Sequence, residues 1–153
     1  MHTYEATISW KRGEQKFTDK RYSRGHLWSF DGGAQVRASS SPLIVPEPMS
    51  VAANVDPEEA LVASVSSCHM LFFLSGAVQG GFTVDDYVDR AVGVMEKNSE
   101  GKVAITRITL RPAILFSGER LPTPAELAEL HHRAHEGCFI ANSIKAEVVI
   151  ESV

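Results

Sequence analysis

The chain has 153 residues, 44% of them hydrophobic, which suits one domain (residues 1–153) able to bury a real core. Net charge is −4, from 15 basic and 19 acidic side chains with no basic block, so nucleic-acid binding has no electrostatic support. No unbroken run of 18 apolar residues occurs, and no basic stretch followed by an apolar run opens the sequence, so neither a membrane span nor a secretory signal is expected.

In chain order, Tyr4, Ala6, Ile8 and Trp10 alternate with Glu5, Thr7, Ser9 and Lys11, the pattern of a half-buried strand. Arg12 to Arg24 is polar and basic and reads as a loop or irregular edge. His26 to Phe30 and Ala34 to Ala38 form two further strands joined by the hairpin signal Asp31-Gly32-Gly33. Ser39 to Val55, with Pro42, Pro46 and Pro48, is an extended loop of a length that often carries function. Asp56-Pro57-Glu58-Glu59 opens a helix: Asp56 caps it, Pro57 suits its first position and Glu59 can bond back. The helix runs to about Val78 and stops at Gly80-Gly81. Its body is apolar or small on nearly every face, as in a helix buried at the centre of an assembly.

Tyr87 to Glu96 and Val103 to Phe116 read as two long strands around a turn at Asn98 to Gly101. Thr123-Pro124-Ala125-Glu126 is a second capping box, opening a helix that ends near Gly137. Ile144, Ala146, Val148 and Ile150 alternate with polar or exposed positions to give a last strand. The order βββ, helix, ββ, helix, β is an α+β pattern with mostly antiparallel pairing.

Two cysteines do not make a disulfide framework; without an export signal the default compartment is the reducing cytoplasm. Cys68 lies midway along the apolar helix, where a cysteine either packs as a small hydrophobe or reacts. Ser66, Ser67 and His69 beside it suggest that this part of the helix borders a cleft. His69 points about 100° away from Cys68, so a thiolate there needs positive charge from elsewhere in the fold. Arg21 and Arg24 are the candidates, unless they merely form a solvated edge. A rival set is metal ligands: His131, His135 and Cys138 fall at i, i+4 and i+7, and Cys68-His69 could complete a tetrahedral zinc site. The same His131-His132 helix reads equally well as a solvated face.

Asp56-Pro57-Glu58-Glu59-Ala60-Leu61-Val62-Ala63 followed by Ser66-Ser67-Cys68, and later His135-Glu136-Gly137-Cys138, resembles the signature of the OsmC/Ohr hydroperoxide reductases. The order of strands and helices agrees nearly from end to end. Phe139-Ile140 stands where that family commonly has proline and an aromatic, and the early region lacks the glycine-rich arginine loop of the Ohr branch, which points to an OsmC-like branch. The resemblance implies an OsmC-like fold of antiparallel sheets around a long buried central helix, in an intertwined homodimer. It implies a thiol peroxidase that reduces organic hydroperoxides, is regenerated by an external dithiol reductant and needs no cofactor. Cys68 would be the attacking thiol, Cys138 the resolving thiol, and Glu58 the partner of an arginine, Arg24 first and Arg21 second. Leu61, Val65, Phe72 and Phe139 could line an entry channel or be ordinary core. Glu58 and Cys68 are roughly 15 Å apart along one helix, so either Glu58 serves the site of a second chain or the helix starts later. The rival readings are the zinc protein and a non-catalytic ligand-binding or redox-responsive module on the same fold.

Overall fold

The computed structural model describes residues 1–151 and 153, and divides into two compact units, Met1–Ala60 and Leu61–Val153. In the first, β1 (Ala6–Ser9), β2 (His26–Phe30) and β3 (Gln35–Ala38) form an antiparallel sheet in that order. Trp28 is the middle of the register, opposite Ile8 on one side and Val36 on the other. The β2–β3 hairpin closes through Gly33, whose φ of +91° only glycine adopts without strain. All four residues of β1 are exposed, so the expected half-buried face does not extend along it. The long loop after β3 is tied back along its length. Ser39 donates its N–H to Val55 O, Val55 donates to Arg37 O, and the Ser39 hydroxyl accepts the Val51 N–H at 2.9 Å.

α1 (Pro57–Gln79) begins where expected. Asp56 accepts the Glu59 N–H and Glu59 accepts the Asp56 N–H, both at 2.8 Å, a reciprocal cap for two otherwise unpaired donors. By length and mean hydropathy, 1.7, this helix could cross a bilayer. The unbroken-run criterion overlooks it because Ser64, Ser66, Ser67 and His69 interrupt the apolar run without lowering its average much. In the fold the chain buries a single stripe, Val65, His69, Phe73 and Ala77, spaced by four residues along one face.

The second unit holds the sheets that this stripe covers. β4 (Thr83–Asp89) pairs with β7 (Pro112–Ser117), and β5 (Val92–Lys97) pairs with β6 (Val103–Leu110), both antiparallel. β8 (Glu147–Ile150) joins β6 in parallel. The two long strands expected from the sequence are therefore four, because the chain changes sheet twice. Pro112 has no N–H to continue β6, and the Asp89 carboxylate accepts the Arg111 N–H at 2.6 Å where a neighbouring strand would have done so. The last strand also starts three residues later than its alternation suggests, although Ile144 and Ala146 still pack inward.

α2 (Pro124–Gly137) carries the expected Thr123–Glu126 capping box. Gly137 ends it by close approach: a Cβ there would lie 2.9 Å from a ring carbon of Phe72. Two cores result. Phe73, Ala77, Phe82, Leu130 and Ala134 join α1 to α2 and the β4–β7 ribbon. Val65, Ile108 and Leu110 join α1 to the β5–β6–β8 sheet.

Candidate active site

Cys68 lies half-buried on the flank of α1, and Cys138 is fully buried as the residue that follows α2; both are free thiols. Two sulfurs separated by the whole β4–β7 segment are thus near enough in the fold for the Cys68 thiol to perturb the titration of Cys138. Burial pushes the Cys138 thiol up, and the hydrogen bond and charge of Cys68 push it further. Backbone N–H groups of Ala141 and Ile140 work the other way, the Ala141 N–H lying 3.4 Å from Cys138 Sγ at the start of the 3-10 turn Ala141–Ser143. Cys138 is therefore held as a thiol near neutral pH, which suits the second sulfur of a couple better than the first.

Four residues were candidates for an entry channel or ordinary core. Val65 is wholly buried in the sheet core with the partly buried Leu61 packed against it, which favours ordinary core for both. Phe72 and Phe139 are the pair near the sulfurs. They meet edge to face with centroids 5.0 Å apart; Phe72 lies one turn beyond Cys68 and Phe139 directly follows Cys138, 70% exposed.

Between α1 and α2 lies a polar cluster. His69 Nε2 and His131 Nδ1 are 3.0 Å apart, their rings are nearly parallel, and both residues are buried, at 1% and 4% exposure. His131 also packs on Phe73, centroids 4.6 Å apart. Burial, then the nearby His131 and His135, lowers the His69 pKa to about 4; burial lowers that of His131 too, with Asp89 opposing. Tyr87 is pushed up by burial and by Asp89, whose carboxylate accepts the Ser66 hydroxyl. His69 Nδ1, His131 Nε2, His135 Nδ1 and Tyr87 Oη have no partner among the described residues. The expectation of a solvated His131-His132 face is corrected here: His132 is exposed, but His131 sits in the apolar stripe with Leu130 and Ala134. That placement, between Leu127 and Ala134 at helical spacing, was the available signal. The zinc set proposed from His131, His135, Cys138, Cys68 and His69 does not converge: no three such ligands among the described residues are arranged around a common point.

In the other unit, Arg24 folds onto its own loop. Its guanidinium donates to Lys20 O at 2.8 Å and to Tyr22 O, and stacks 3.8 Å from the Tyr22 ring centroid. His26 supports the same turn. Its Nε2 accepts the Trp28 indole N–H at 3.0 Å, so its Nδ1 carries the proton and donates to Arg24 O at 2.8 Å. The Arg21 backbone N–H bonds Asp19, and the residue is exposed. Glu58 is half-buried in the first turn of α1, with Oε2 shielded from solvent and unpartnered among the described residues. No ion pair joins Arg24 to Glu58 among those residues. A helix that starts after Glu58 is excluded, since α1 begins at Pro57.

No curated protein matches the chain significantly. Solved structures do. An OsmC-like protein of unknown function from Vibrio cholerae is 53% identical over 100% of both chains, with a TM-score of 0.99. An OsmC-like protein from Mycoplasma pneumoniae matches at 15% identity over 99% of this chain and 96% of that one, TM-score 0.74. The organic hydroperoxide resistance protein OhrB of Bacillus subtilis matches at 17% identity over 99% and 98%, TM-score 0.68. The last two likenesses concern the fold alone. The model of the family described as OsmC-like protein matches residues 51–153, two-thirds of the chain and both cysteine motifs. With that match and the Vibrio cholerae relative, the chain belongs to the OsmC-like family.

Proposed function

We propose that the protein is a thiol-dependent peroxidase that reduces organic hydroperoxides and so protects against oxidative stress. The observation that supports this reading is that Cys68 perturbs the Cys138 thiol, with the first sulfur the more accessible and the second held as a thiol. Structural relatives named for organic hydroperoxide resistance support the same chemistry.

The Cys68 thiolate attacks one peroxide oxygen and the O–O bond breaks. One proton goes to the departing alkoxide, which leaves as an alcohol, and Cys68 becomes a sulfenic acid. Cys138 attacks the sulfenic sulfur, and water leaves as the Cys68–Cys138 disulfide forms. An external dithiol supplies two electrons and two protons to restore both thiols, becoming a disulfide itself. Phe72 and Phe139 give the organic end of the peroxide an apolar surface at the sulfurs.

A guanidinium is needed to hold the thiolate and to meet charge on the leaving oxygen. Arg24 fills that role, with Arg21 as the alternative, and Glu58 anchors it. The shielded Glu58 Oε2 has no partner among the described residues and calls for a cation, which favours a composite site in a homodimer. Leu71 and Val78, 60% and 76% exposed on α1, give such a dimer an apolar face to bury. The compartment is the cytoplasm, where both thiols stay reduced between turnovers.

The test is hydroperoxide consumption coupled to a dithiol. Cys68→Ser abolishes it, and Arg24→Ala lowers kcat/KM by about a hundredfold or more. Wild-type protein that consumes no cumene or tert-butyl hydroperoxide with any dithiol donor overturns the proposal in favour of a binding role.

A further inference from the structure

The His69–His131 bond plays no part in the chemistry above, yet it is the only hydrogen bond between α1 and α2 among the described residues. The remaining contacts between these helices are apolar: Phe73 and Ala77 against Leu130 and Ala134, with Gly76 placed so that an added Cβ would lie 3.4 Å from a Leu130 methyl. Apolar contact is non-directional and tolerates sliding, whereas a hydrogen bond weakens steeply away from its preferred distance and angle. The bond's two partners share their helices with the two sulfurs, Cys138 lying seven residues beyond His131. Cys68 immediately precedes His69, and Cys138 closes the helix that carries His131. A shift of α2 along α1 therefore moves Cys138 relative to Cys68, and disulfide closure accepts only a Cα separation of roughly 4.4–6.8 Å.

We infer that the buried His69–His131 hydrogen bond is a positioning element that fixes the axial register of α2 on α1 and thereby sets the reduction potential of the Cys68–Cys138 couple. The inference rests on the dithiol reading above. One ring donates and the other accepts, so the accepting imidazole is neutral, and burial lowers the pKa of both rings, which keeps the donor neutral as well. His135 and Asp89 are the other titratable groups facing the pair, with Tyr87 beside Asp89. A fixed register raises the effective concentration of one sulfur at the other and favours the disulfide; a loose register makes the couple more oxidising.

The experiment is the thiol–disulfide equilibrium of the full-length protein against dithiothreitol buffers, followed by thiol alkylation and mass. One dithiothreitol loses two electrons and two protons for each disulfide reduced. The variants are chosen by atom position. His131→Asn keeps a hydrogen-bonding atom near the place of Nδ1, His131→Gln moves it outward to the place of Nε2, and His131→Phe removes it. Asn is expected to match wild type within about threefold, while Gln and Phe lower the disulfide-forming constant about tenfold, near 30 mV. Folded Gln or Phe variants with the wild-type potential overturn the inference. Should the Phe variant not fold, the comparison of Asn with Gln decides alone, and equal potentials for those two count against it. A wild type that shows no Cys68–Cys138 disulfide in any buffer overturns the dithiol reading instead, and with it the couple to be tuned.

Discussion

At the scale of single residues, the two sulfurs are made different by their surroundings. Cys138 is buried and its thiol is pushed up, so its thiolate fraction is small at neutral pH and grows about tenfold per pH unit below that pKa. The resolving step should accelerate accordingly between about pH 6 and 8; stopped-flow decay of the Cys68 sulfenic acid, flat across that range, would contradict the assignment. His69 makes the opposite kind of prediction. Its folded pKa, about 4, lies below the ordinary 6.5, so the unfolded chain binds more protons in between. Its stabilising effect is complete above 6.5 and is lost as pH falls toward 4. The loss is about 3 kcal/mol at most, with His131 adding in the same direction. Urea midpoints at pH 7 and pH 4.5 should show it, and His69→Gln should show a smaller drop. Both capping boxes were legible in the sequence because their signals span a few residues. The His69–His131 contact was not, since its partners are 62 positions apart and pair only once two helices have packed.

Among the elements, helix ends were easier to place than strand ends. A cap is a local hydrogen-bond requirement, and Thr123–Glu126 and Asp56–Glu59 meet it as their spacing suggests. Strand breaks at Asp89 and Arg111 depend on where the chain changes sheet, and alternation continues across both points. Pro112 was the clue to the second break. Gly137 illustrates a residue chosen by packing between elements: its hydrogen faces the Phe72 ring, which in turn meets Phe139. Gly137→Ala gains up to about 1 kcal/mol in helix propensity but overpacks that contact at a cost of about 1–3 kcal/mol. Thermal unfolding should therefore show a lower Tm than wild type. A Tm at or above wild type would mean that Phe72 can give way.

At the scale of the whole molecule, α1 was read as apolar all round and central, and its own chain covers one stripe of it. In the proposed homodimer a second copy would cover the rest, and would also bring a cation to the Glu58 oxygen that is unpartnered among the described residues. Leu71→Glu should weaken self-association by at least the ~2 kcal/mol lost with one buried leucine, which sedimentation velocity would register as a shift toward monomer. The fold was accessible from sequence because it rests on residue type, spacing and a family signature; the cysteine roles stay part of the proposal, and in it the cation is not legible because its supplier would depend on assembly. The most direct test of the central claim is peptide mass mapping after one equivalent of cumene hydroperoxide is added to reduced protein. The account predicts loss of two hydrogens and a single bridged peptide pair containing Cys68 and Cys138. Cys68 carried through to the sulfonic acid while Cys138 remains a free thiol would contradict it.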